Sequence, residues 1–285
     1  MQPVAMDAAR PGPACTAGGR RSHAHFVQCG QGRPVVLLHG IGASHHDWDE
    51  LLPILERSNM AAYALDLLGH GESEKLPSDG YQMKWILTHC MDWVDSLGLA
   101  EAPVLIAHSL GGYLALEMAR RFPERVRALV LANPFYRTNQ LSIFLRRIRR
   151  RKRLTARLVK SAPAWVYKFG VDAASLLQGR DRIGTHSLSP RVRMQTVLDL
   201  QRTAPGVYHA PHTVEDLTPH LRGIAVPALV VWGDRDRTLA PASFDPLVAA
   251  LPYALGACIE GAGHVLHQTH PREFADLVMG FLSSV

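Results

Sequence analysis

Cysteine is scarce in this sequence, and the four present, Cys15, Cys29, Cys90 and Cys258, form no C-x-x-C pair. That excludes a disulfide scaffold, a zinc ribbon and a thioredoxin-type redox pair. No stretch reaches the ~18 consecutive apolar residues that a membrane helix needs. The apolar run 225–232 is short, contains Pro227 and suits a buried strand. Neither G-x-G-x-x-G nor a P-loop pattern occurs, so nicotinamide and nucleotide binding are not implied and no cofactor is expected. Residues 1–22 are rich in Ala, Gly, Pro and Arg and lack an apolar core of signal-peptide length. They read as a flexible tail. Together with the scattered single cysteines, this points to a cytoplasmic protein.

What is present is globular. With 47% hydrophobic and 20% charged residues over 285 positions, general disorder is excluded. A chain of this length can hide roughly three-quarters of its unfolded surface. The net charge of +6 is unevenly spread. Residues 137–202 carry 16 Lys/Arg against three acids, Asp172, Asp181 and Asp199, so a basic insert sits in an acidic body. Its peak, 146–153, has seven bases in eight positions. Such a run suits a solvated helix face, an anionic substrate group or an anionic membrane surface. Nucleic acid fits least, because no aromatics are interleaved and no reader motif surrounds it.

From residue 34 the pattern alternates. Strands are expected at 34–38, 61–65, 103–107, 126–132, 227–232 and, more weakly, 253–259. Helices are expected at 48–55, 82–97, 111–122, 242–251 and 271–282. Alternation of this kind gives an α/β fold, a mostly parallel central sheet flanked by helices. The rhythm breaks between 134 and 225, where helical stretches predict a cap inserted between two core segments, 23–133 and 226–285. Within it, Trp165, Val166, Tyr167, Phe169, Leu176 and Leu177 are candidates for the cap's own core or an apolar pocket wall.

Reactive sequences cluster at the strand ends, where open parallel sheets bind ligands. Ala107-His108-Ser109-Leu110-Gly111 lies between a strand and a helix. A serine on that sharp turn needs small neighbours two residues away on each side, and Ala107 and Gly111 supply them. The segment resembles the G-x-S-x-G nucleophile elbow of the α/β-hydrolase family, with Ala107 for the first glycine. The resemblance extends over both core segments. His39-Gly40-Ile41-Gly42 is similar to the family's oxyanion loop. Asp66-Leu67-Leu68-Gly69-His70-Gly71-Glu72-Ser73 is similar to its D-x-x-G-x-G-x-S segment. Gly233-Asp234-Arg235-Asp236 resembles the acid turn and Gly261-Ala262-Gly263-His264 the histidine loop.

The resemblance implies a Ser109–His264–Asp236 triad in the family's chain order, acting on an ester or related acyl bond of a small molecule. Leu110 and Ile41 would supply oxyanion N–H groups. The family spacing selects Asp236 over Asp234, which is then a turn or salt-bridge residue. An alternative acid position after the fourth strand holds uncharged Asn133. His39, His70 and His108 read as structural. His267, His270 and the pairs His23/His25, His45/His46 and His209/His212 read as ordinary surface or loop histidines, with no metal expected. Dehalogenases and epoxide hydrolases of this fold carry aspartate at the elbow. Carbon–carbon hydrolases often have tryptophan after the histidine, where this chain has Val265. An acyltransferase, a carbon–carbon hydrolase or a ligand sensor could keep the same triad.

Overall fold

A computed structural model describes residues 14–17, 20–77, 81–141 and 188–285. The basic run 146–153 and the aromatic stretch of the insert lie outside the described residues. Seven strands form the main sheet: β3 (Phe26–Cys29), β4 (Arg33–Leu38), β5 (Met60–Leu65), β6 (Val104–His108), β7 (Ala128–Ala132), β8 (Ala228–Gly233) and β9 (Ala254–Ile259). Their order is β3-β5-β4-β6-β7-β8-β9, and every neighbouring pair except β3–β5 is parallel. Two further strands, β1 (Ala14–Ala17) and β2 (Arg20–His23), pair antiparallel and lie, except for His23, within residues 1–22, the segment expected as a tail.

The central strands are apolar runs because both faces are covered. In β4, Val36 and Leu38 join one core and Val35 and Leu37 the other. The first core takes α2 (Met83–Ser96), α3 (Leu110–Arg121) and α5 (Phe244–Ala250). The second takes α1 (Leu52–Arg57), α6 (Leu266–Thr269) and α7 (Pro271–Leu282). Helix α7 shows how sequence sets the face: Phe274, Val278 and Phe281 recur at helical spacing and are buried, while Arg272, Glu273 and Asp276 face solvent.

The insert contributes α4 (Pro190–Arg202) and short 3-10 turns at Pro205–His212 and Thr218–Gly223. Ser189 caps α4, accepting from Val192 N–H. Helix α4 carries two arginines that pair with acids from the N-terminal part of the chain: Arg191 with Asp49 at 3.2 Å and Arg202 with Glu72 at 2.7 Å. Exposed pairs of this kind contribute ~1 kcal/mol or less each. Among the described residues, no helix is long and apolar enough to cross a membrane.

Strand order changes direction between β4 and β6. The chain leaves β4 for β5 on one side and β6 for β7 on the other, and in open parallel sheets ligands bind beyond the carboxyl ends of the strands at such a switch point.

Two fully buried histidines are expected to make the fold acid-sensitive. Burial pushes His70 down to about 3, helped by neighbouring His39, and pushes His89 down to about 4. In the unfolded chain both protonate near ~6.5. Folded-state values below the unfolded one mean that the unfolded state binds more protons. The stabilisation is therefore complete above about pH 6.5 and is lost as pH falls toward the folded values. Urea midpoints are expected to drop between about pH 7 and about pH 4.5, with each histidine removing up to ~1.4 kcal/mol of stability per pH step of one. A flat profile over that range would contradict the assignment.

Candidate active site

Ser109 stands between β6 and α3 with φ 49° and ψ −110°, a left-handed conformation that a side-chain-bearing residue rarely adopts. Such strain costs ~1–3 kcal/mol and persists only where the surroundings enforce it. Here Ser109 N–H donates to Ala132 O at 3.1 Å, and Ser109 O accepts from Gly112 N–H at 3.0 Å and Phe135 N–H at 2.9 Å. Glycine is required at position 111 because a Cβ there would lie 2.2 Å from Leu38 O and 2.8 Å from His39 O, both backbone. Helix α3 begins with Leu110, and the Ser109 hydroxyl makes no capping bond to it.

That hydroxyl turns instead to histidine. Ser109 Oγ lies 3.0 Å from His264 Nε2, and His264 Nδ1 lies 2.7 Å from Asp236 Oδ2. All three residues are buried. The carboxylate is fixed at its other oxygen, where Asp236 Oδ1 accepts from Thr238 N–H at 2.7 Å and Leu239 N–H at 2.9 Å. The structure thus brings together the serine, histidine and acid singled out from the sequence. Asp234 is exposed and accepts from Gly261 N–H at 2.6 Å, a turn role.

The histidine loop is held by residues around it. Gly233 lets the acid turn approach, since a Cβ there would lie 2.2 Å from Ala262 O. The His264 carbonyl accepts from two buried side chains, Asn133 Nδ2 at 2.8 Å and His108 Nε2 at 2.9 Å. Asn133 also donates to Gly263 O at 3.1 Å and accepts from Gly233 N–H at 3.1 Å. At position 133 the sequence signals only a missing charge. Its function as a clamp joins residues 130 positions apart, which local pattern cannot reveal.

The loop after β4 is also pinned. His39 Nε2 accepts from Leu67 N–H at 3.0 Å, which leaves the proton on Nδ1 for Gly40 O at 2.7 Å. Gly42 has φ +77° and lies beneath Leu200 and Tyr208 of the insert. Leu110 N–H is one of the unpaired donors at the start of α3, where the helix dipole also favours negative charge.

Asp66 organises the glycine-rich turn after β5. Its carboxylate accepts from His45 N–H at 2.7 Å, His45 Nδ1 at 3.0 Å, His25 Nδ1 at 2.9 Å and Glu72 N–H at 2.9 Å. Burial opposes its charge, but the bonds from His25 and His45 prevail and hold the carboxyl well below the usual range. The expectation of ordinary surface or loop histidines fails for His45, His267 and His270, which are buried. Each sits in a turn or short helix folded against the core, where local sequence polarity does not report burial.

A strained serine elbow thus stands at a topological switch point, in hydrogen-bond reach of a histidine backed by a carboxylate. The model of the alpha/beta hydrolase family matches residues 35–277, and the chain belongs to that family. It is 26% identical over 94% of its length, and over 89% of the relative, to the 2-hydroxy-6-oxo-6-(2'-aminophenyl)hexa-2,4-dienoic acid hydrolase of Metapseudomonas resinovorans. An esterase from Thermogutta terrifontis shares the fold with TM-score 0.79 at 23% identity, covering 97% of this chain and 98% of that one. The enol-lactonase of Burkholderia xenovorans LB400 does so with TM-score 0.77 at 21% identity, covering 95% of this chain and all (100%) of that one.

Proposed function

We propose that this protein is a serine hydrolase that cleaves a carboxylic ester, or a related acyl bond of a small molecule, through an acyl-serine intermediate. The observation that carries this reading is the unbroken relay from Asp236 through His264 to Ser109. His264 takes the Ser109 proton as the hydroxyl attacks the acyl carbon, then gives it to the leaving alcohol. Asp236 holds Nδ1 protonated and stabilises the imidazolium. Leu110 and Ile41 N–H groups receive the oxyanion, a donor pair of which each member is worth ~10²–10³ in turnover by precedent. Water then repeats the cycle in reverse on the acyl-serine. Leu200 and Tyr208, lying over Gly42, supply part of the wall that excludes bulk water. The basic run 146–153 is the segment proposed to favour an anionic group on the substrate or an anionic surface. The free thiols of Cys29, Cys90 and Cys258 accord with a cytoplasmic location.

A second reading draws on the dienoic acid hydrolase relative, whose likeness spans nearly the whole of both chains. The same serine and histidine could serve cleavage of a carbon–carbon bond beside a ketone. The deciding assay compares a p-nitrophenyl ester series, short to long acyl chain, with a 2-hydroxy-6-oxo-dienoic acid. Ester turnover with a clear chain-length optimum is the expected result. Background rates on every ester, with consumption of the dienoate, would transfer the assignment to carbon–carbon cleavage.

A further inference from the structure

Three buried side chains that the proposed chemistry leaves unused converge behind the His264 loop. Asp47 comes from the 3-10 turn His45–Trp48, His108 from the end of β6 and His267 from α6. They are 8%, 4% and 3% exposed. Asp47 Oδ2 lies 3.5 Å from His108 Nδ1 and 3.6 Å from His267 Nε2. The ligand-type atoms of the three residues all lie within 4.8 Å of one another. Asp47 Oδ2, His108 Nδ1 and both ring nitrogens of His267 are buried without a hydrogen-bond partner.

The separations decide between chemistries. They are too long for hydrogen bonds. Two ligand atoms that each sit ~2.0–2.1 Å from a shared tetrahedral ion lie ~3.3–3.5 Å apart, close to the two distances from Asp47 Oδ2. The tautomer of His108 sharpens the case. Its Nε2 is 2.9 Å from the His264 carbonyl and must donate there, so Nδ1 presents a lone pair toward Asp47 Oδ2. Lone pair against carboxylate in a buried site is unfavourable unless a cation lies between them. Two of the three residues have outward bonds of the form a metal's supporting shell takes: His108 donates to a backbone carbonyl, and Gln268 Nε2 donates to Asp47 Oδ1 at 2.9 Å, while His267 Nδ1 has no partner. The His25–His45–Asp66 cluster provides the contrast. Its 2.9 Å and 3.0 Å contacts are satisfied hydrogen bonds and leave no gap for an ion.

We propose that Asp47, His108 and His267 form a binding site for a divalent transition-metal ion of the zinc type. Two imidazoles and one carboxylate select such an ion over calcium or magnesium, which prefer all-oxygen shells. A solvent molecule would complete the tetrahedron. The ligands come from three segments distant in sequence, so the ion would join them and couple its binding to folding. The proposal does not depend on the hydrolase reading, because its readouts are metal content and stability.

The test uses the untagged full-length chain. Protein purified from zinc-supplemented medium is expected to retain about one zinc per chain after desalting. Zinc added to chelator-stripped protein should raise its melting temperature. Cobalt(II) in its place should give the intense visible absorption of a four-coordinate ion. His267→Gln and Asp47→Asn should lose all three signals. If Asp47→Asn fails to fold, His267→Gln and the wild-type cobalt spectrum still decide. The proposal is overturned if wild type holds no more zinc than His267→Gln, or if zinc leaves its melting temperature unchanged. Equal zinc in wild type and both variants would place the ion on other histidines and overturn it as well. A melting temperature that follows pH and ignores zinc would identify a shared proton as the cation, with the same consequence.

Discussion

Ser109→Ala is expected to reduce turnover by about 10⁶-fold, to the residual rate that binding and the proposed oxyanion donors sustain. The fold should survive. Alanine occupies the same volume less one oxygen, and the backbone bonds that hold the elbow, to Ala132 O and from Gly112 and Phe135 N–H, do not involve the side chain. The lost Oγ–Nε2 contact is a single hydrogen bond, worth ~1 kcal/mol of stability. Substrate binding should change little, so the loss falls on kcat and leaves KM near its wild-type value. Measurement needs a sensitive ester and protein shown to be folded by its melting temperature. A variant retaining more than about one-hundredth of wild-type turnover would remove Ser109 from the nucleophile role, since loss of a nucleophile costs far more than that.

Asp236→Asn should cost about 10⁴-fold in kcat, by a route that the local hydrogen bonds specify. Oδ1 of Asp236 is committed to two backbone donors, Thr238 and Leu239 N–H. An asparagine will therefore keep its oxygen there and place its NH₂ where Oδ2 stood, 2.7 Å from His264 Nδ1. An amide donor at that position demands an acceptor, so His264 moves its proton to Nε2. The nitrogen that faces Ser109 then has no lone pair to receive the hydroxyl proton. Because the side chains are the same size, geometry and melting temperature should stay close to wild type. The diagnostic is a low rate that climbs with pH, as serine ionisation without the base takes over. Asp234→Asn is the comparison, expected to keep kcat because Asp234 is exposed and serves the Gly261 turn.

Much of this arrangement was legible in the sequence, for a local reason. Elbow, acid turn and histidine loop each follow a short apolar run, and period-two or continuous hydrophobicity marks such runs well. The strands expected at 34–38, 61–65, 103–107 and 227–232 appear within one residue at each end. Strand β3 escapes such a reading because it is four residues long and antiparallel at the sheet edge, where Val27 is its only buried residue. The helix expected at 48–55 is divided instead between a 3-10 turn at 45–48 and α1 at 52–57, with Pro53 at the start of α1. The Asp47–His108–His267 cluster was beyond reach for a different reason. Spacing puts His264 and His267 three apart, but only the tertiary fold carries Asp47 and His108 to the same place.

The Asn133 clamp bears on how this active site could change over evolutionary time. Within the fold, the acid can in principle stand after β7 as well as after β8, and relocating it would take a single-base change from asparagine to aspartate. Here that route is barred. Asn133 Nδ2 donates to the carbonyls of Gly263 and His264, and an aspartate would turn those attractions into the contact of a carboxylate with two carbonyl oxygens. The loop carrying the base would be pushed from the serine before the new acid could support it. On the mechanism proposed above, a lineage that starts from this chain is thereby committed to position 236 for its acid, by an uncharged residue that serves only to hold the loop.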